Sequence, residues 1–135
     1  MSVSLKDTGI ITLFADDLEE SKSFYRDVFE FSLIHEDESS AVFTSDHLTV
    51  NVLKVTAAAE LIDPAPVGGR QAGARFVLTV QVENVDAAAA QLAERGVELL
   101  NGPMNRPWGI RTASFTDPSG HIWEIAGAIA AAADR

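Results

Sequence analysis

Apolar and polar residues along this chain fall into a pattern that occurs twice. The first copy begins with Ile10-Ile11-Thr12-Leu13-Phe14-Ala15, a β-rich apolar run, followed directly by Asp16-Asp17-Leu18-Glu19-Glu20. The run predicts a strand and the acidic cluster a helix start, with an aspartate as N-cap and carboxylates complementing the positive end of the helix dipole. Leu18, Phe24, Tyr25, Val28 and Phe29 then recur close to the 3.6-residue period and give the helix one apolar stripe. The second copy repeats these steps: a strand over Phe76 to Val82, an acidic cap in Glu83-Asn84-Val85-Asp86, and an alanine-rich helix through Leu92 that stops at Gly96.

Each helix is followed by three short strand-like runs. In the first copy they are Phe31 to His35, Ala41 to Thr44 and Leu48 to Leu53, separated by turn-forming Glu36 to Ser40 and Ser45-Asp46. In the second they are Val97 to Leu100, Ile110 to Thr116 and His121 to Ile125, the last two separated by the strong turn signal Asp117-Pro118-Ser119-Gly120. The pattern is βαβββ twice: a first module over about residues 7–54 and a second over 75–126. Between them Val55 to Ala74, rich in Ala, Pro and Gly, reads as a connector in which Ala57 to Leu61 can make one helical turn. The alanine-rich tail, 127–135, is expected to be a short frayed helix. A sheet covered by a helix on one face needs cover on the other. Two such modules, in one domain or exchanged between chains, can supply it and leave a cavity between them.

Composition narrows the function classes. Apolar residues at 47% and charged residues at 22% describe an ordinary globular chain. A formal net charge of −10 disfavours nucleic acid, whose phosphates need clustered lysine and arginine, and would concentrate a cationic ligand nearby. With no cysteine there is no disulfide, thiolate metal site or cysteine nucleophile. No apolar run reaches the roughly 20 residues of a membrane span. Met1 to Asp7 lacks the basic flank and apolar core of a signal peptide, so a soluble, cytoplasmic protein is expected.

Two segments carry a family resemblance: Asp17 to Phe29, and Asn101-Gly102-Pro103 with Arg106-Pro107-Trp108-Gly109-Ile110-Arg111 running into Phe115-Thr116-Asp117-Pro118-Ser119-Gly120-His121-Ile122-Trp123-Glu124-Ile125. They resemble the vicinal oxygen chelate superfamily, which includes glyoxalase I, extradiol dioxygenases, and fosfomycin and bleomycin resistance proteins. The resemblance covers nearly the whole chain except the connector and tail. It implies an α+β fold of two βαβββ modules forming a curved mixed-sheet cleft.

It also implies where a divalent metal would be held, on the first and last strand of each module. Counted from the acidic caps, the usual His or Gln positions fall on Ile10 and Val77, which cannot ligate. The usual carboxylates fall on Glu124 and on or near Asn51. One carboxylate and one amide fall short of the three protein groups a mononuclear site wants. By strand alternation Glu124 shares a face with Ile122 and Ala126, opposite His121, Trp123 and Ile125, and His47 shares a face with Asn51. His47 is therefore the histidine placed to be a ligand or base, or else an ordinary surface residue; His35 lies at a strand end among acids.

Glu124 would contact a cationic or hydroxylated ligand, or persist as a relic held by donors of the fold. Trp108, in the Pro-Trp-Gly turn, would stack on a planar ligand or anchor a loop. Arg111 would pair with a ligand anion or with one of the many carboxylates, and its parity relative to Thr112 and Ser114 is ambiguous. Phe24, Tyr25 and Trp123 read as core. The expected ligand-binding set is Glu124, Trp108, Asn51, His47, Arg111 and Ser114. No cofactor is expected, and His47 and Glu124 are the candidates should a divalent metal bind. Three functions stay open. The first is metal-independent binding of a small cationic or aromatic molecule by a homodimer, as in bleomycin resistance proteins. The second is a metal-dependent lyase, isomerase or dioxygenase with an atypical ligand set. The third is a regulatory module with a filled cleft.

Overall fold

The computed structural model describes residues 9–129, and the chain folds as two compact units, Met1–Gly69 and Arg70–Arg135. The readings made for Met1 to Asp7 and for residues 130–135 lie outside the described residues.

In the first unit, strand β1 (Ile11–Ala15) leads to helix α1 (Leu18–Asp27). The helix starts where the acidic cluster predicts. Asp17 is the N-cap, its carboxylate accepting the Glu20 N–H at 3.0 Å, and Glu19 and Glu20 occupy the first turn. Leu18, Ser21 and Tyr25, at i, i+3 and i+7, form the buried stripe. Tyr25 is fully buried at the centre of an aromatic cluster, edge-on to Phe24 with centroids 5.2 Å apart and stacked on Phe29 at 5.8 Å. Strands β2 (Ser32–Glu36), β3 (Ser40–Thr44) and β4 (Thr49–Lys54) complete a four-stranded sheet of order β1-β4-β3-β2, with β1 and β4 parallel. Leu13, Ala15, Ala41, Phe43, Val50 and Val52 alternate along their strands and are buried beneath α1.

Helix α2 (Val55–Ile62) begins where β4 ends. The segment read from sequence as a connector with one helical turn over Ala57 to Leu61 thus opens with eight helical residues. Three consecutive alanines followed by Glu60 and Leu61 carry high helix propensity, and Ala58 is fully buried.

The second unit repeats the plan. Strand β5 (Leu78–Gln81) leads to helix α3 (Val85–Glu94), then β6 (Leu99–Asn105), β7 (Ile110–Thr116) and β8 (Ile122–Ala128), in the order β5-β8-β7-β6 with β5 and β8 parallel. The helix cap is Asn84, whose side-chain oxygen accepts the Ala87 N–H at 2.9 Å, rather than an acidic residue. Trp123, Ile125, Ala113 and Phe115 are buried on the side of the sheet that α3 covers with Val85, Ala89 and Leu92.

Three boundaries differ from the sequence reading. Phe76 and Val77 precede β5 and are exposed, because only residues 78–81 find partners on β8. Strand β6 runs to Asn105 instead of ending at Leu100. As an edge strand it absorbs Gly102-Pro103 through register shifts between Leu99 and Asn101 and between Asn101 and Met104. Gly127 and Ala128 belong to β8, not to a helical tail, since they pair with Arg111 and Ile110. Among the described residues, no helix is long and apolar enough to cross a membrane.

Candidate functional site

Strand register brings corresponding residues of the two units into corresponding rows. Across the first sheet, Thr12 on β1 faces Asn51 on β4, which faces Val42 on β3, which in turn faces His35 on β2. Across the second, Thr79 on β5 faces Glu124 on β8, which faces Ser114 on β7 and then Asn101 on β6. Directly opposed residues point to the same face, and both rows lie on the face turned away from α1 or α3. In each row the β5- or β1-strand threonine meets the side chain of the last strand. The Asn51 amide donates to Thr12 Oγ1 at 3.4 Å, and Thr79 Oγ1 donates to Glu124 Oε1 at 2.9 Å. The Asn51 amide oxygen is buried with no hydrogen-bond partner among the described residues. Thr12 and Thr79 were not singled out in the sequence, although each stands two residues after Ile10 or Val77.

A second cluster adjoins Glu124. The turn Arg106-Pro107-Trp108-Gly109 joins β6 to β7, closed by Gly109 N–H donating to Arg106 C=O at 3.0 Å, with Pro fixing φ at its second position and Gly109 at φ 97°. Arg106 reaches back over the sheet. Its Nε donates to Thr112 Oγ1 at 2.8 Å and Nη2 to Asn101 Oδ1 at 2.9 Å, and its guanidinium lies 5.9 Å from the centroid of the Trp108 ring. Thr112 shares its face with Ser114, hence with Glu124. Trp108 is 67% exposed, so it is not the core anchor that one sequence reading allowed. Arg106 was quoted within the motif but given no role. Only the hairpin geometry turns it onto this face.

The remaining predicted residues go elsewhere. His47 lies exposed in the β3–β4 loop, two residues before β4 begins at Thr49, so the strand parity that grouped it with Asn51 does not apply. Arg111 is on the α3 side with Ala113. Its Nε and Nη2 grip both oxygens of Asp86 at 2.9 Å, and Nη1 donates to Asn105 at 3.0 Å. It ties β7 to the first turn of α3 and stands apart from Ser114. His121 Nδ1 pairs with Asp117 Oδ2 at 2.8 Å inside the Asp-Pro-Ser-Gly turn.

The Arg111 guanidinium beside Asp86 holds that carboxyl below its ordinary value of 3.8, chiefly by hydrogen bonding. A carboxyl depressed in the folded state contributes stability that is fully present above its unfolded value and lost as pH falls through the folded one. An NMR titration should therefore place the Asp86 midpoint below 3.8 in the native protein and return it to the ordinary range in Arg111→Gln. A midpoint unmoved by the substitution would show that the pair is not formed in solution.

The positions to which the family resemblance assigns metal donors carry Ile10, 63% exposed, and Val77, 49% exposed, together with Asn51 and Glu124. Among the described residues no three His, Cys, Asp or Glu side chains come together in a way that could hold a metal ion. One carboxylate, an amide and two aliphatic side chains do not fit such an ion.

Comparison with known proteins agrees with this architecture. The profile of the glyoxalase/bleomycin resistance protein/dioxygenase superfamily matches residues 9–125. An uncharacterized protein of Bacillus subtilis (strain 168), YraH, is 30% identical over 120 residues, which is 85% of this chain and 93% of that one. Among solved structures, a glyoxalase/bleomycin resistance protein/dioxygenase from Nocardioides is similar with a TM-score of 0.83 at 23% identity, covering 96% of this chain and 87% of its own. TnmS3, an antibiotic binding protein from Streptomyces sp. CB03234, has a TM-score of 0.70 at 23% identity, covering 95% and 100%. A lactoylglutathione lyase from Agrobacterium tumefaciens has 0.72 at 20%, covering 92% and 95%.

Proposed function

Since this chain belongs to the glyoxalase/bleomycin resistance protein/dioxygenase superfamily, we propose that it binds a small organic molecule without a metal, as a sequestering protein rather than a lyase, isomerase or dioxygenase. The observation that carries this reading is the pair of equivalent rows. Where metal donors would stand are Ile10 and Val77, and the one carboxylate, Glu124, is engaged by Thr79 Oγ1. A fixed carboxylate with hydroxyls beside it accepts hydrogen bonds from a cationic or donor-rich ligand, and the exposed Trp108 ring offers a stacking surface for a planar one. The net charge of −10 raises the local concentration of such a cation. The antibiotic binding named for TnmS3 is the kind of activity this describes. A metal-dependent lyase, isomerase or dioxygenase would need His47, Asn51 and Glu124 to supply its ligands.

Elemental analysis of the purified protein, with thermal-shift titrations of Ni²⁺, Mn²⁺, Fe²⁺ and Zn²⁺ on wild type and Glu124→Ala, separates the two. We expect no stoichiometric metal and no stabilisation that depends on Glu124. A cationic aromatic ligand at 100 times its Kd should stabilise the folded state by about 2.7 kcal/mol. A metal that stabilises wild type but not Glu124→Ala would overturn the proposal in favour of an enzyme. Sedimentation of the same preparation gives the assembly, for which we expect a homodimer.

A further inference from the structure

The second unit presents a fixed anion and a fixed cation on one sheet face. Glu124 is held by Thr79. Arg106 is held at two of its nitrogens, by Thr112 and by Asn101, with its plane beside Trp108. Asn101 and Glu124 belong to the same row, separated only by Ser114, so they lie two strand spacings apart, about 10 Å at the backbone. Arg106 is not paired with Glu124. Its bonds to neutral oxygens orient the guanidinium without neutralising it, and Nη1 finds no partner among the described residues. A guanidinium held at one edge with free donors at the other is a receptor for a carboxylate, which takes two parallel N–H···O bonds. The Trp108 ring alongside is 67% exposed and can lie under a planar group that carries that carboxylate.

The geometry points to a zwitterionic ligand: a planar molecule whose amidine, guanidine or amine end meets Glu124 and whose carboxylate end meets Arg106. This rests on the metal-independent binding proposed above and adds an acid group that a cation-seeking carboxylate alone would not require. It also gives the site selectivity. A purely cationic compound satisfies Glu124 but leaves the Arg106 donors without an anionic partner, and a purely anionic one is repelled by Glu124 and by the overall charge of −10.

Three probes test the arrangement: benzamidine, benzoate and 4-carboxybenzamidine, titrated calorimetrically into the full chain. We expect 4-carboxybenzamidine to bind at least about tenfold more tightly than benzamidine, the scale of one charge-assisted bidentate contact, and benzoate to bind least. Arg106→Gln should bring 4-carboxybenzamidine down to the level at which the same variant binds benzamidine. Arg106→Lys should retain only part of the gain, because an ammonium cannot form the planar fork. Glu124→Gln should weaken both amidines. The comparison of the three probes on wild type stands even if a variant fails to fold.

A 4-carboxybenzamidine affinity no better than that of benzamidine, or a gain that survives Arg106→Gln, overturns the anion subsite. If benzamidine still binds in a Glu124-dependent manner, the binding function survives that result. Should none of the probes bind, the zwitterion site falls; a metal ion bound through Glu124 overturns the metal-independent function as well.

Discussion

Trp123→Ala is expected to destabilise the protein by about 4 kcal/mol, the scale of removing a large aromatic side chain from a packed core. Trp123 is fully buried, and on β8 it is flanked by Leu78 of β5 and Phe115 of β7, with Phe115 buried beside it on the α3 side of the sheet. Its deletion leaves a void the size of an indole that neighbours in a β-ladder cannot collapse to fill. Against the roughly 5–15 kcal/mol that keeps a domain folded, the loss leaves the variant marginal at room temperature. Urea denaturation should show a large fall in midpoint with little change in slope, since the surface exposed on unfolding is nearly the same. Trp123→Phe, which keeps a ring in the site, should cost clearly less. A loss below about 1 kcal/mol for the alanine variant would mean that the indole is not packed as described. The same side chain governs the site indirectly. With Trp123 and Ile125 committed to the helix side, Glu124 between them is presented on the other.

Gly102→Ala is the second large effect, and it acts on both stability and binding. Gly102 has φ +84°, and an added Cβ would lie 2.5 Å from the Thr112 carbonyl oxygen and 2.8 Å from Ala113 Cα. Both obstacles are backbone, so no side-chain rotation relieves them; β6 must move away from β7. The left-handed φ alone costs on the order of 1–2 kcal/mol for alanine, and the clash adds to it, for a total of about 3 kcal/mol. The displaced strand carries Asn101, and Thr112 and Asn101 are the two groups that orient Arg106. Gly102→Ala should therefore also lose the preference for 4-carboxybenzamidine over benzamidine at temperatures where it remains folded. Circular dichroism melting together with the probe titration checks both parts. An alanine variant as stable as wild type, with the preference intact, would show that β6 and β7 do not approach as closely as the glycine implies.

How far the site was legible in the sequence follows from the range of the interactions that build it. Periodicity and capping are local. The acidic clusters at Asp16-Asp17 and Glu83 to Asp86, the stripe from Leu18 to Val28 and the Asp117-Pro118-Ser119-Gly120 turn reveal two βαβββ modules because each signal spans only a few residues. Alternation then places Glu124 opposite Trp123, and the family resemblance implies metal-donor positions at Ile10, Val77 and Asn51. Parity fails where a strand does not begin where expected, as at His47, which precedes β4, and it left Arg111 ambiguous until the ladder set it with Ala113 facing α3. The helix over Val55–Ile62 went largely unread because alanine-rich sequence followed by Pro and Gly is compatible with either loop or helix.

By itself, then, the sequence determined the two βαβββ modules, the fold family, the acidic character and the aliphatic identity of Ile10 and Val77. These are properties of residue identity and short-range spacing. Only the tertiary structure decided which side chains meet: Thr12 with Asn51, Thr79 with Glu124, and Arg106 with Thr112, Asn101 and Trp108. The threonine pairs join residues 39 and 45 positions apart, and Arg106 is set by a hairpin whose strand shifts register at Gly102-Pro103. The physical reason is that strand register arises from the summed packing and hydrogen bonding of whole ladders, which no local pattern encodes.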